Sequence, residues 1–556
     1  MYGQLKIESE ITKIVLDSIE KANKAGLLNF STKDISSIEI DIPKEEKYGD
    51  YSINTAMKMS KIAKMKPREI AEIIIDNIED ETSLLTGVAI AGPGFINFYI
   101  SQSVFQNELS VIIEAEDDYG RIRLNEKKTI NIEYVSANPT GPLHLGNARG
   151  AAIGDVLANI FDTAGWKVTK EFYLNDSGNQ IIKFAQSLNA RFMQIFDPSF
   201  PFPEDGYQGK DIITLAENYR DIFGDSVKDL DEKERSAILS KYALENNVER
   251  MRRDLSDFGV NYDVWFYESK LYEGAIEKII ELLNNNNATY EKDGALWFRA
   301  SNYGCEKDEV LVRSNLIPTY YAADIAYHYN KLAIRNFDIA VDVWGADHHG
   351  HIQRVKSALE AAGIDSSRLK VILMQLVHLI DGDEALRLSK RKGQIVELSD
   401  LISEVGSDAA RFIFNMNNAS THLDFDLGLA ISQSNENPIW YVQYAHARMK
   451  SILRNVECTA GKTNFSLLTE KPEIALIKKL CAYSKEISSA AKEYDPSRIT
   501  KYAIDLASHF HTFYNSCRVK HEDENLRRAR LGLVTACSYV LKNTLTVIGI
   551  VALEQM

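Results

Sequence analysis

Thr129-Ile130-Asn131-Ile132-Glu133-Tyr134-Val135 alternates apolar and polar residues and runs straight into Ala137-Asn138-Pro139-Thr140-Gly141-Pro142-Leu143-His144-Leu145-Gly146-Asn147. The alternation predicts a strand, and the Pro/Gly run predicts a stiff loop leaving it. A helix is predicted from Leu145 to Ala164, closed by Gly165, and a second strand from Lys167 to Leu174. Strand, loop, helix and strand at this spacing are the βαβ grammar of a doubly wound parallel sheet.

The fold class working outward is α/β, a Rossmann-like domain flanked by two others. At 556 residues the chain is too long for one core. Residues 1–115 read as an N-terminal α+β domain. Ile7, Ile11, Ile14, Val15 and Ile19 recur at helical spacing, Ile38 to Ile42 alternates like a strand, and Ala56 to Ile75 looks helical. Residues 116–400 hold the parallel sheet, with a charged, helical insertion around 185–300. Sheet-like runs return at Phe337 to Trp344 and Leu369 to Ile380. In residues 401–556 the strand signal fades and amphipathic helices follow, an all-α helical bundle.

The composition is that of a globular chain, 45% hydrophobic and 26% charged, with a formal charge of −15 from 64 basic and 79 acidic residues. That charge argues against a general nucleic-acid coat and against DNA as partner, while a local basic patch can still bind RNA on an acidic body. Cys305, Cys458, Cys481, Cys517 and Cys537 form no C-x-x-C pair, so neither a zinc site nor a disulfide framework is expected. No apolar run approaches the roughly 18 residues of a membrane span. A cytoplasmic protein without a membrane partner is the expectation.

Pro139 and Pro142 stiffen the loop and Gly141 permits turn geometry closed to other residues. His144 stands at the mouth of the following helix, where partial positive charge favours anions, and Gly146 leaves room for a flat ring against the backbone. Far along the chain, Arg387-Leu388-Ser389-Lys390-Arg391-Lys392-Gly393 concentrates cations next to a glycine. Preorganised cations of this kind stabilise the charge that develops in phosphoryl and nucleotidyl transfer. Read alone, the second run is equally a solvated surface loop; together the two suit adenylate-forming chemistry on ATP.

These runs resemble the HIGH and KMSKS signatures of class I aminoacyl-tRNA synthetases. Asn147 stands in place of the last histidine, and Arg387 and Leu388 in place of the opening lysine and methionine. Four more stretches resemble the arginyl-tRNA synthetase family: Glu133 to Asn138, Pro318-Thr319-Tyr320-Tyr321-Ala322-Ala323-Asp324, Trp344-Gly345-Ala346-Asp347-His348-His349-Gly350-His351, and Pro438 to Arg448. The resemblance implies an arginine–tRNA ligase that forms arginyl-adenylate and passes the arginyl group to the terminal ribose of arginine tRNA, with activation awaiting tRNA. It implies His144, Gly146, Asn147 and Lys390 as catalytic residues. Pro139, Thr140, Gly141 and Pro142, with Leu388, Ser389 and Arg391, would join them around ATP.

A guanidinium presents five donors in a planar fork that carboxylates match best. Glu133 and Asp324 are therefore the arginine candidates, with Tyr320, Asp347 and His349 beside them and Ser136 and Asn138 for the α-amino group. Either carboxylate is also open to a structural salt bridge. Asp347, His348, His349 and His351 could form a metal site, but His348 and His349 are adjacent and would diverge. No protein-bound metal is expected, and Mg²⁺ would arrive with ATP. For tRNA the family points to the N-terminal domain, with Tyr51, Lys58 and Lys61, and to Tyr441, Tyr444, Arg448, Tyr514 and the chain end at Met556 for the anticodon. Stacking on rings is how unpaired bases are read. A monomer is expected. The alternatives are another class I synthetase, and an RNA-binding paralogue with a dead site.

Overall fold

The computed structural model describes residues 1–123, 125–380, 396–459 and 461–556. Helix α1 (Gly3–Lys24) buries Ile7, Ile11, Ile14, Val15 and Ile19 along one face. The same unit holds an antiparallel sheet whose strands β1 (Ile40–Asp41), β2 (Tyr51–Ile53), β3 (Leu85–Ala91) and β4 (Phe95–Ile100) lie in the order β1-β2-β4-β3. The run from Ala56 to Ile75 is two helices, α2 (Thr55–Ala63) and α3 (Pro67–Asp76). Lys64 turns left-handed at φ 54° and Pro67, which lacks an N–H, can only open the next helix. Helix α4 (Gln102–Ala115) leads out of this unit.

The central sheet is built from β5 (Thr129–Glu133), β6 (Lys167–Leu174) and β7 (Val264–Tyr267), with two later strands, and every ladder in it is parallel. Ile130 and Ile132 are buried, and so is Asn131 between them, whose amide donates to Glu171 Oε2 at 2.8 Å. Burial on both faces is the signature of a parallel sheet covered by helices. Helix α5 (Leu145–Thr163) makes the crossover between β5 and β6. It packs hard on Tyr134: a Cβ at Gly154 would come 2.1 Å from that ring.

Between β6 and β7 lie α6 (Asn179–Gln194), α7 (Lys210–Phe223) and α8 (Glu232–Asp257). The insertion expected to be helical across 185–300 is therefore not wholly so. β7 is an edge strand of the main sheet, and after α9 (Ala275–Asn285) come β8 (Thr289–Lys292), β9 (Ala295–Phe298) and β10 (Glu309–Val312), a separate antiparallel sheet. Helix α10 (Tyr320–Tyr329) then leads to β11 (Ile339–Gly345), α11 (His349–Ala361) and β12 (Leu369–Met374), completing the order β12-β11-β5-β6-β7.

The run from Leu369 to Ile380 also divides. β13 (Val377–Ile380) leaves the main sheet and, beyond α12 (Leu398–Val405) and α13 (Ser407–Phe414), pairs in parallel with β14 (Leu423–Asp426). That strand falls in a region expected to hold none. α14 (Leu427–Ile431) precedes five long helices: α15 (Pro438–Asn455), α16 (Lys471–Cys481), α17 (Tyr483–Glu493), α18 (Ser497–Ser516) and α19 (Glu524–Ile548). By length and composition α19 is apolar enough to cross a membrane, but most of it is buried in this bundle. Its apolar turns are interrupted by polar residues, so no single uninterrupted run marks it in the sequence.

Candidate active site

The loop after β5 is set by two left-handed residues, Val135 at φ 72° and Ser136 at φ 44°. A β-branched residue held there stores strain, which typically persists only where surrounding bonds fix it. They do: Ser136 N–H donates to Tyr134 O at 3.0 Å, and its hydroxyl donates to Glu133 Oε1 at 2.8 Å while accepting Tyr173 N–H at 3.2 Å. Further on, Asn247 of α8 donates to Pro139 O at 2.8 Å, and Asn138 donates to Gln180 at 2.5 Å. This turn is also why the strand ends at Glu133, two residues short of the expected Val135.

His144 caps α5. Its Nδ1 accepts the Gly146 N–H at 3.2 Å, and its own N–H donates to Asn147 Oδ1 at 3.0 Å. The two side chains thus occupy helix-end groups reciprocally, as in a capping box. A Cβ at Gly146 would come 3.2 Å from the imidazole, so the His144 ring lies directly against this glycine. Because Nδ1 accepts, the proton of the neutral ring sits on Nε2, and partial desolvation of this surface-exposed ring lowers its pKa below the ordinary histidine range. Just before His144, Gly141 and Pro142 are half-buried and Thr140 is buried. Leu143 and Leu145 bond to the chain just beyond the basic run, Leu398 N–H to Leu143 O at 2.8 Å and Leu145 N–H to Val396 O at 3.0 Å. Leu388, Ser389, Lys390 and Arg391 themselves lie outside the described residues.

Beside the loop, acidic side chains converge on the carboxyl edge of the sheet, where ligands of open α/β sheets bind. Glu133 ends β5 and Asp342 of β11 stands directly opposite it. Asp324 of α10 is bonded through Oδ2 to His351 Nε2 at 2.7 Å. Glu268, just after β7, is buried and accepts the Tyr272 hydroxyl at 3.2 Å. Tyr173 stands among them: burial, then the charges of Glu268, Asp324 and Glu133, push its hydroxyl pKa up. Burial likewise raises Glu133 and Glu268 above the usual carboxylate range. Such a pocket is short of positive charge and suits a cationic ligand. Tyr320, half exposed at the rim, accepts the Asn179 N–H at 3.4 Å.

Glu133 is more engaged than expected for a residue meant only for a ligand. Its Oε2 is 2.5 Å from the Lys331 ammonium, so the structural salt bridge open to it is formed. Asp347 and His349 are exposed at the start of α11, and Asp347 lies 3.7 Å from His348. His351 is bonded to Asp324 and not to Asp347, and its ring shares the Trp344 ring with His348. Glu268 and Lys331 escape sequence reasoning. An acid just past a strand end was a usable signal for the first.

On the N-terminal unit one expectation is corrected. Tyr51 is buried, 4% exposed, because β2 is covered on both faces, so its ring cannot meet RNA. Lys58 is exposed but paired with Glu39 at 2.6 Å, and Lys66 and Arg68 have glutamates on their own helix, so the basic cluster is partly neutralised; Lys61 is exposed. In the helical bundle, Tyr441 and Tyr444 flank His511, at 4.9 and 6.2 Å between ring centres. Arg448 donates to the Tyr514 hydroxyl at 2.6 Å. Tyr444 and Met556 are exposed, and Tyr441, Arg448 and Tyr514 are half-buried. His511 belongs to this aromatic face although the sequence reading passed over it.

Three family models tile the chain: the arginyl tRNA synthetase N terminal domain over residues 9–100, the catalytic domain of tRNA synthetases class I (R) over 108–433, and the DALR anticodon binding domain over 442–556. A Caldanaerobacter subterraneus subsp. tengcongensis protein named arginine–tRNA ligase is 50% identical, with 99% of each chain covered. One of the same name from Acetivibrio thermocellus is 47% identical over the same shares. The fold matches Thermus thermophilus arginyl-tRNA synthetase with a TM-score of 0.74 and 22% identity, covering 98% of this chain and all of that one.

Proposed function

The chain belongs to the arginyl-tRNA synthetase family and catalyses ATP-dependent activation of arginine and charging of tRNA; from that premise we propose how its own residues divide the work. The arginine carboxylate attacks the α-phosphate of ATP in line, pyrophosphate leaves, and a hydroxyl of the terminal tRNA ribose then displaces AMP from the acyl carbon. No enzyme nucleophile is needed: positioning and charge stabilisation carry both steps.

Asp324 and Glu133 receive the guanidinium, with Tyr320 closing the rim; Ser136 and Asn138 face the α-amino end, with Asp347 and His349 on the far side. The observation that carries this assignment is the convergence of Glu133, Asp324 and Glu268 around Tyr173. A site built to pair a guanidinium rejects analogues that leave its carboxylates unpaired, so no editing site is required. Pro139, Thr140, Gly141, Pro142, Gly146 and Asn147 shape the nucleotide side. His144, neutral with its proton on Nε2, donates to the phosphates without adding charge.

Lys390 supplies charge on the opposite side of the pyrophosphate, with Leu388, Ser389 and Arg391 around it. Support comes from the pairing of Val396 with Leu145: six residues span at most about 20 Å, so Lys390 can reach the His144 cleft. Mg²⁺ enters on the ATP phosphates and offsets their charge.

Transfer RNA is held by Lys58 and Lys61 and by the face of Tyr441, Tyr444, Arg448, Tyr514 and Met556, and its binding precedes activation. One set of contacts supports that dependence. The buried Arg411 donates to Ile548 O at the end of α19, to Phe258 O after α8, and to Asp155 of α5, the helix His144 caps. We place the enzyme in the cytoplasm as a monomer, with neither DNA nor membrane as partner.

ATP–pyrophosphate exchange, run with each amino acid and with and without tRNA, tests the reading. Exchange is expected with arginine only and only when tRNA is present. Exchange with another amino acid would refute the pocket assignment, and full exchange without tRNA would refute the ordering.

A further inference from the structure

Lys331 is a lysine with no exposed surface, and burying an ammonium is unfavourable unless it is fully paired. The backbone is bent to put it there. After α10 the chain takes a π-turn, Asn330–Ile334, in which Arg335 N–H reaches back five residues to Asn330 O at 2.8 Å. Widened turns of this kind recur at functional sites. The ammonium lies 2.5 Å from Glu133 Oε2, 2.8 Å from Asp342 Oδ1 and 4.4 Å from the Tyr327 ring centre.

Glu133 and Asp342 are direct partners across β5 and β11, so without Lys331 two carboxylates would face each other in a buried site. Like charges so placed do not both ionise. Asp342 has a second cation to hand: His328 Nε2 is 2.7 Å from its Oδ2, while His328 Nδ1 faces Asp324 O at 2.7 Å. Glu171, on β6, is taken by Arg335 at 2.5 Å and by the Tyr327 hydroxyl at 2.8 Å. Among the described residues, Ser136, Tyr173, Tyr262 and Tyr327 also face Glu133 without positive charge, while the more distant His328 and Arg335 are committed to Asp342 and Glu171. Lys331 is thus the cation that Glu133 has and Asp342 could spare.

We propose that Lys331 is a positioning residue for the amino-acid substrate: it keeps Glu133 ionised and aimed before arginine arrives, so that the guanidinium meets a carboxylate and not a carboxylic acid. The inference rests on the assignment of Glu133 to arginine. Without the ammonium, burial and the facing Asp342 act on Glu133 with less to offset them, its carboxyl holds its proton to higher pH, and arginine must expel that proton to bind.

The test is the pH dependence of the arginine KM in pyrophosphate exchange with tRNA, between about pH 6 and 9, as a ratio of variant to wild type. The ratio cancels the titration of arginine's own α-amino group. For Lys331→Met the ratio should fall as pH rises, by up to about tenfold per unit. Lys331→Arg, which retains the charge, should show no slope, and the KM for ATP should not move in either. If Lys331→Met does not fold, Lys331→Gln, which removes the charge but keeps a polar group to bond the two carboxylates, carries the same readout. A flat ratio in the folded variant would overturn the proposal. Glu133→Gln separates it from its premise: it should raise the arginine KM without a slope, and an unchanged KM there would overturn the assignment of Glu133 instead.

Discussion

Replacing Asp324 by asparagine removes a charge from the arginine pocket while keeping its shape. Oδ2 is already committed to His351 at 2.7 Å, which leaves the other oxygen for the substrate. A hydrogen bond to a charged partner contributes about 1.5–3 kcal/mol and a neutral one about 0.5–1.5 kcal/mol, so the exchange should cost about 1–2 kcal/mol. At about 1.4 kcal/mol per decade this is a rise of roughly five- to thirtyfold in the arginine KM. The upper end is expected if His351 takes the amide oxygen, because the amide nitrogen then turns a donor toward a guanidinium that only donates. Steady-state exchange at saturating tRNA, titrating arginine and ATP separately, gives both constants. An arginine KM within twofold of wild type, or an ATP KM rising in step with it, would show that Asp324 supports the fold of α10 and not the ligand.

Other consequences follow from the same geometry. His144→Ala should lower turnover by about a hundredfold or more, with the arginine KM nearly unchanged, as for loss of a transition-state donor; unchanged turnover would remove His144 from the chemistry. Arg411→Met leaves Asp155 with Lys170 alone and should destabilise by about 3 kcal/mol, read in thermal unfolding. Burial pushes the Asp155 pKa up, but Arg411 and Lys170 outweigh it and hold it below the usual range. For Asp342, Lys331 and His328 likewise outweigh burial and hold the pKa near 2. Both contributions are complete above about pH 4 and are lost as pH falls through the lowered values, so thermal stability should drop between about pH 4 and 2. A flat melting profile across that window would contradict the pairings. Tyr514→Ala should weaken tRNA binding with helicity intact, and a melted helical domain would mean that the ring serves the core.

Local signals were strong where one segment carries its own instructions. Lys167–Leu174 matches its expected bounds, and α5 ends at Thr163, one residue before the expected Ala164, which caps it ahead of Gly165 at φ 85°. The His144 cap was visible as a histidine at a helix mouth. What stayed hidden depends on partners far away in sequence. β14 is a strand because β13 lies beside it, and β7 because β6 offers an edge. Tyr51 reads like any exposed loop tyrosine until β4 and the helices cover it. Lys331 is hardest of all: nothing in Asn330-Lys331-Leu332 announces a turn that faces inward, and only its two carboxylates on separate strands explain it. Conversely, Asp324 was legible as a carboxylate but not as a partner of His351, since that pairing bridges α10 and α11.

The most direct test of the whole account is a crystal structure with arginine, tRNA and a non-hydrolysable ATP analogue bound together. It should place His144 Nε2 and the Lys390 ammonium within hydrogen-bond distance of phosphates of the same nucleotide, with the arginine guanidinium against Asp324 and Glu133. A nucleotide bound with Lys390 far from its phosphates, or a guanidinium turned away from both carboxylates, would contradict it.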